Sequence, residues 1–265
     1  MKFSNLISSK SLKRILKILN LKFLFKSDVK LHEIIRSILT TKNIEKNGCT
    51  LSNYGVWMLN NNSDRTFKLS IIGYRNNLEN ILLSIKQPLI FIDIGANQGI
   101  FSLIAAKNKN FLEIHSFEPN LKLISYLENN FVINKVNNYF IHKVAIAPQA
   151  TSLNFYVPEH HSGKGRITLK KSNMLVTSVN RDYLNKVFIQ PNKFYFIKID
   201  VEGSEENVLY ELFNSTINLY IKYIFIEINT KFSEEDVLVK ILRSNTFYEV
   251  SRSGNGISYD VLYVR

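Results

Sequence analysis

The sequence predicts an α/β fold built on a mostly parallel sheet that ends in an antiparallel hairpin. Three observations carry this. From Pro88 onward, apolar strand-like runs alternate with helical stretches, the pattern of parallel strands joined by right-handed crossovers. Leu89–Ile94 is apolar except for Asp93, as in a parallel strand covered on both faces. The last two strand-like runs, Phe247–Ser251 and Ile257–Val264, are separated only by Arg252-Ser253-Gly254-Asn255-Gly256. That spacing makes one strand at or near an edge antiparallel.

Along the chain, residues 1–47 form a basic extension. The protein has 265 residues and a formal charge of +12, and residues 1–50 hold 11 Lys/Arg against 3 Asp/Glu, leaving only +4 for the rest. A nucleic-acid enzyme spreads basic residues around its cleft, so no nucleic-acid partner is expected. The apolar runs of the extension are interrupted by Lys, Arg or Asn after at most three residues. They are too short for a transmembrane span, which needs about 20 apolar residues, or for the core of a signal peptide. Leu12, Ile15, Leu16, Leu19 and Phe23 recur at helical spacing among lysines. Two readings stay open for residues 1–46: a helix lying on an anionic membrane surface, or one docked on the globular body or a partner. The single cysteine, Cys49, excludes an intrachain disulfide and a Cys-rich zinc site. It points to a reducing, cytoplasmic setting, at the inner membrane face if the extension binds lipid.

Residues 48–86 form a second segment. Tyr54–Leu59 and Thr66–Ile72 read as a strand pair around the turn-forming Asn60-Asn61-Asn62-Ser63-Asp64, and Asn77–Ile85 reads as a short helix. Residues 87–265 form the main domain. After Leu89–Ile94 come a helix at Gln98–Asn108, a strand at Phe111–Glu118, a helix at Leu121–Asn134 and a strand at Asn138–Ala147. Strands follow at Phe194–Asp200 and Tyr223–Asn229, with helices from about Ser204 and Ser233.

The chemistry-bearing motifs fall at predicted strand ends, where open α/β sheets bind ligands. Phe91-Ile92-Asp93-Ile94-Gly95-Ala96-Asn97-Gln98-Gly99 joins the first sheet strand to its helix. Gly95 permits a tight turn and Gly99 a close helix start, while the helix N-terminus favours an anion. The stretch lacks the Gly-Lys-Ser/Thr of a P-loop. Asp93 adds an anion suited to an ammonium group, so a ligand with an amino-acid end satisfies both. Ser116-Phe117-Glu118-Pro119-Asn120 closes the next strand, with Glu118 23 residues after Gly95, where an acid holds a ribose diol. In Phe194–Glu205, Lys198, Asp200 and Glu202 reach the same sheet edge; three such charges would be costly in a core.

Together, Ile92–Gly99, Phe117-Glu118-Pro119-Asn120 and Lys198-Ile199-Asp200-Val201-Glu202-Gly203-Ser204-Glu205 resemble the FkbM-type S-adenosylmethionine-dependent methyltransferases. The resemblance spans roughly Gly73 to Asn229, and Asn129-Asn130, Asn134 and Val144-Ala145 share it. Family members often carry a Gly near Ala150 and an Asp near Asn180, so an acidic role at the latter position does not carry over. The resemblance implies a class I, Rossmann-like methyltransferase fold: a seven-stranded sheet with an antiparallel last strand and helices on both faces. It also implies S-adenosyl-L-methionine as cofactor and O-methylation of a hydroxyl on a sugar, glycan or small natural product. Carried over, Asp93, Gly95, Ala96, Asn97 and Gly99 would hold the methionine end, and Glu118 with Pro119 the ribose. Val144-Ala145 would lie near the adenine, and Asp200 and Glu202 would face the donor's amino group or the acceptor.

The candidates for a general base are Asp200, His160 and His161. The histidines lie in the polar segment Pro158–Lys171, which resembles a mobile loop over an acceptor. No metal is expected. His32 and His142 belong to no constellation and His115 sits within a strand, so none of the three is assigned a role. Two competing readings are a nicotinamide-dependent oxidoreductase and a non-catalytic methyltransferase-like binding domain. The first disagrees with the absence of Gly at 97, the position of Asp93 and the final hairpin.

Overall fold

A computed structural model of the chain describes residues 44–73, 76–170, 172–188 and 193–265. The basic helix expected within residues 1–43 lies outside them. Among the described residues no helix is long and apolar enough to cross a membrane.

The N-terminal unit begins with a small antiparallel sheet of β1 (Glu45–Lys46), β2 (Cys49–Leu51) and β3 (Trp57–Leu59). It continues through α1 (Arg65–Ile72) and α2 (Asn76–Ser84). The expected second strand at Thr66–Ile72 is therefore a helix. Asp64, the last residue of the turn cluster, is its N-cap, and its side chain accepts from the Thr66 N–H. Phe67, Ser70 and Ile71 are buried at helical spacing, and Gly73 closes the helix in the left-handed region at φ 72°. A good cap and a C-terminal glycine overrode the β-branched composition. The expected helix at 77–85 is present as α2.

The main sheet holds β4 (Leu89–Ile94), β5 (Phe111–Phe117), β6 (Tyr139–His142), β11 (Phe194–Ile199), β12 (Ile221–Asn229), β13 (Tyr248–Asn255) and β14 (Ser258–Val264). Its order is β13-β14-β12-β11-β4-β5-β6, with β4, β5, β6, β11 and β12 parallel and β14 antiparallel to β12. This is the class I methyltransferase arrangement, with the hairpin read from the sequence at one edge. The helices α3 (Ile100–Ala106), α4 (Leu121–Ile133), α6 (Glu205–Phe213) and α7 (Glu235–Ser244) connect the strands. All six residues of β4 are buried, because separate apolar clusters cover the two faces of the sheet.

The stretch expected as one strand at Asn138–Ala147 divides at Lys143-Val144. Its second piece, β7 (Ala145–Ile146), leaves the main sheet and pairs in parallel with β10 (Met174–Val179). With β8 (Ser152–Tyr156) and β9 (Arg166–Ile167) these strands form an accessory sheet of order β7-β10-β8-β9. The helix α5 (Arg181–Val187), capped by Asn180, returns the chain to β11. His115 and His142, unassigned above, form a buried pair 3.0 Å apart, and His142 bonds Tyr183 at 2.9 Å. Burial pushes the His142 imidazole down to about 3, so it is neutral at physiological pH.

The N-terminal unit is attached by asparagines that the family pattern singled out. Asn130 Oδ1 accepts from the Leu59 N–H and its amide donates to the Gln98 carbonyl. Asn134 bonds both the N–H and the carbonyl of Trp57. Asn129 is exposed and bonds within its own helix.

Candidate active site

A cavity of about 880 Å³ opens at the carboxyl ends of β4, β5, β11 and β12. Its floor is the turn after β4. The Gly95 and Ala96 N–H groups both donate to the Phe117 carbonyl at 3.0 Å, which folds the loop over β5. Gly95 sits at φ 79°, and a Cβ there would fall 2.0 Å from the Asp200 carbonyl oxygen. Only glycine fits that contact. Gly99 faces α4 instead, with a Cβ at that position meeting Leu127 at 2.4 Å, and does not line the cavity. Asn97 adopts φ 54°, in the left-handed region that asparagine tolerates better than most other non-glycine residues.

Asp93 is placed differently from its expected role. It is fully buried beneath the loop, 2.9 Å from the Lys198 ammonium, and accepts from the Ser102 hydroxyl at 2.7 Å. It is absent from the cavity wall. The physical reason is register: Lys198 lies directly across from Asp93 on the neighbouring strand, and a buried carboxylate takes the nearest cation. Lys198 also donates to the Gly95 carbonyl at 2.8 Å and lies 3.9 Å from Asp200. The pair shapes the loop from below.

Glu118 lines the cavity, as expected, and is 5% exposed. Its two oxygens accept from the Asn97 and Asn120 N–H groups, each at 2.8 Å. Burial pushes its carboxyl up to about 7 in spite of these donors and the Lys198 charge. Pro119, Val144, Ala145 and Ile146 continue this wall.

The opposite wall carries the acids of the third motif. Asp200, Glu202 and Glu227 each offer an oxygen within 4.8 Å of the others. Lys164 pairs with Glu202, Asn229 donates to it at 3.3 Å, and Ser258 donates to Glu227. These three carboxylates are the ligand set closest to a cation site among the described residues, with part of their charge already balanced by Lys164 and Lys198. Glu205 holds the loop behind them, accepting from the Gly203 N–H at 3.0 Å and from Ser233.

The two histidines separate. His161 lines the cavity, and burial with the nearby Arg65 and Lys164 charges lowers its imidazole to about 4. His160 is a correction: it is exposed, adopts φ 56°, pairs with Glu159 at 3.2 Å and lines a different depression. Its carbonyl is held by the Arg65 N–H at 2.8 Å. The segment expected as a mobile loop contains a 3₁₀ turn at Ser162–Lys164 and the strand β9, both hydrogen-bonded to the body. Sequence reasoning missed the α1 wall (Arg65, Thr66, Leu69, Ser70), the accessory-sheet residues Phe155 and Ile167, and Glu227. Only Glu227 left a signal, as the lone acid of an apolar strand.

The family model described as the methyltransferase FkbM domain matches residues 93–249, more than half of the chain. The chain belongs to this methyltransferase family. Its cofactor is S-adenosyl-L-methionine, and the nicotinamide alternative falls with that assignment. A comparison with curated proteins gives no match. Among solved structures, a putative transferase from Pyrococcus horikoshii is similar at 11% identity and TM-score 0.48, over 88% of this chain and 80% of that one. A precorrin-6y C5,15-methyltransferase from Geobacter metallireducens GS-15 is similar at 13% identity and TM-score 0.41, over 72% and 88%. A putative tRNA (m1A22) methyltransferase from Streptococcus pneumoniae, in complex with S-adenosyl-L-methionine, is similar at 13% identity and TM-score 0.43, over 71% and 72%.

Proposed function

We propose that this methyltransferase is an O-methyltransferase acting on a hydroxyl of a sugar, glycan or small natural product. The observation that carries the reading is the continuity of one cavity, from Glu118 and the glycine loop to an opposite wall of polar side chains and a neutral histidine.

The residues fit the cofactor. A volume of about 880 Å³ falls within the usual range for small-molecule sites and leaves room for an acceptor. Glu118 is held by two backbone donors on its inner lone pairs and keeps acceptor capacity for two ribose hydroxyls. Gly95, Ala96 and Asn97 would receive the methionine end, Pro119 and Val144–Ile146 the nucleoside. Asp200 and Glu202 stand where an ammonium or an acceptor hydroxyl can reach them. Asp93 and Gly99 support the loop without touching the ligand.

When bound, S-adenosylmethionine supplies an already activated methyl group. The protein's part is to align a hydroxyl oxygen, which is worth about 7–11 kcal/mol. A general base adds roughly 10²–10⁴-fold. His161 is the first candidate by position: it lines the cavity, and its imidazole, lowered to about 4, is neutral at pH 7 and can accept the hydroxyl proton, as a weaker base than a histidine titrating near 7. Asp200 is the second candidate. The acidic wall accepts hydrogen bonds from hydroxyls and disfavours anionic acceptors, which fits a neutral polyol.

The test is transfer of labelled methyl from S-adenosylmethionine to a panel of neutral sugars and glycans, with sugar acids, RNA and protein as controls. Label in neutral sugars supports the reading. Label confined to RNA or protein overturns it, and tight cofactor binding with no transfer to any acceptor favours the non-catalytic alternative.

A further inference from the structure

Asp64 lies outside the segment matched by the family model, yet it touches three walls of the cavity. The carboxylate is 5% exposed and accepts four hydrogen bonds. Oδ1 takes the Thr66 N–H at 3.3 Å and the Ser162 N–H at 2.9 Å. Oδ2 takes Gln98 Nε2 at 2.7 Å and the Ser162 hydroxyl at 2.6 Å. Capping α1 needs only the first of these. The other three come from the glycine-loop side and from the strap Pro158–Gly165.

The strap is bound at successive residues. Arg65 N–H donates to the His160 carbonyl at 2.8 Å, and Gly163 N–H donates to Thr66 Oγ1 at 2.7 Å. A Cβ at Gly163 would lie 2.8 Å from that same hydroxyl, so the approach needs glycine. Ser162 Oγ also stands 3.0 Å from Asn97 Nδ2. A continuous chain thus runs from Asn97 through Ser162 and Asp64 to Gln98, leaving and re-entering the glycine loop. His161 is held between two pinned neighbours.

We propose that Asp64 is a positioning residue: through Ser162 it latches the strap carrying His161 to the glycine loop, so that the donor floor and the acceptor roof behave as one unit. The proposal rests on the methyl-donor reading of that floor. Two states joined by such a latch are coupled reciprocally. A ligand that orders the Asn97 loop tightens the strap, and loosening the strap weakens that ligand. The N-terminal unit is then part of the catalytic chamber, with Arg65, Thr66, Leu69 and Ser70 of α1 as its wall.

The test is amide hydrogen exchange of the full chain with and without S-adenosylhomocysteine, in the wild type and in Ser162→Ala, Ser162→Thr and Asp64→Asn. Ser162→Ala removes the hydroxyl and spares the cap of α1. Its Ser162 and Gly163 region is expected to exchange at least tenfold faster, with the ligand-induced slowing lost, while α1 itself stays protected. Ser162→Thr is expected to restore both, and Asp64→Asn, whose amide nitrogen cannot accept from Gln98 and the Ser162 hydroxyl, is expected to lose the ligand-induced slowing as Ser162→Ala does. Protection within threefold of wild type in Ser162→Ala, or ligand slowing of undiminished size, overturns the latch. If S-adenosylhomocysteine fails to bind the wild type, the donor reading falls instead. The ligand-free comparison of wild type with Ser162→Ala then still decides the latch.

Discussion

Replacing Glu118 by Gln separates the cost of the fold from the work of the site. Burial raises the Glu118 carboxyl from an ordinary 4.5 to about 7. The folded chain therefore keeps this proton through a window where the unfolded chain has released it. Stability from this group falls as pH rises from about 4.5 to about 7 and is level above that. The shift corresponds to about 3 kcal/mol. Glu118→Gln removes that cost but turns an amide donor toward one of the Asn97 and Asn120 N–H groups, at roughly 1–3 kcal/mol. The two nearly cancel, so the variant is expected to fold with wild-type stability at pH 8.

Binding does not cancel. A hydroxyl donating to a charged acceptor is worth about 1.5–3 kcal/mol, so losing one such acceptor weakens S-adenosylhomocysteine by roughly 10- to 150-fold. Glu118→Ala is weaker still. The wild type carries a second signature, because only the ionised carboxylate offers full acceptor capacity. Its affinity is expected to drop roughly tenfold from pH 8 to pH 6, whereas that of Glu118→Gln stays flat. Isothermal calorimetry at both pH values measures this. A Gln variant within threefold of wild type, or one with the same pH slope, refutes the ribose assignment.

Further predictions follow from the same geometry. His161→Gln is expected to lower methyl transfer roughly 10²–10⁴-fold with unchanged affinity for S-adenosylhomocysteine, while His160→Ala leaves both unchanged; equal losses in the two variants would contradict the placement of the strap. Gly95→Ala, which drives a Cβ into the Asp200 carbonyl, should abolish calorimetrically detectable cofactor binding. Lys198→Met leaves Asp93 buried without its cation and should cost about 3–5 kcal/mol in urea unfolding; a loss below 1 kcal/mol would show that Asp93 draws nothing from the pair. Asn130→Ala orphans the Leu59 N–H and the Gln98 carbonyl, and about 2–4 kcal/mol of unfolding free energy should go with them.

Much of the fold was legible because β4, β11 and β12 are largely apolar runs bounded by turn residues. The final hairpin was legible from its spacing and its glycines, but β13 continues through Asn255 into the stretch expected as the connection. The errors lie where a single cap or a distant strand partner decides local structure. Asp64 belongs to a turn-rich cluster by composition and becomes a helix cap only through its geometry. The division of Asn138–Ala147 depends on β10, a pairing partner more than 25 residues away. At the site, Glu118 is where the spacing put it, because strand ends in this topology converge. The position of Asp93 was illegible: its charge is claimed by Lys198 on a strand that is adjacent in space and distant in sequence. The Asp64–Ser162 contact spans 98 residues and joins two segments with no motif between them. His160 and His161 are neighbours in sequence, and only the left-handed turn at His160 tells them apart.

A crystal structure of the full chain with S-adenosylhomocysteine bears most directly on this description. It should show both ribose hydroxyls on Glu118, the homocysteine end over Gly95–Asn97, and the sulfur directed toward the chamber walled by His161 and Asp200. Density for the ligand outside that chamber, or a ribose turned away from Glu118, would contradict it.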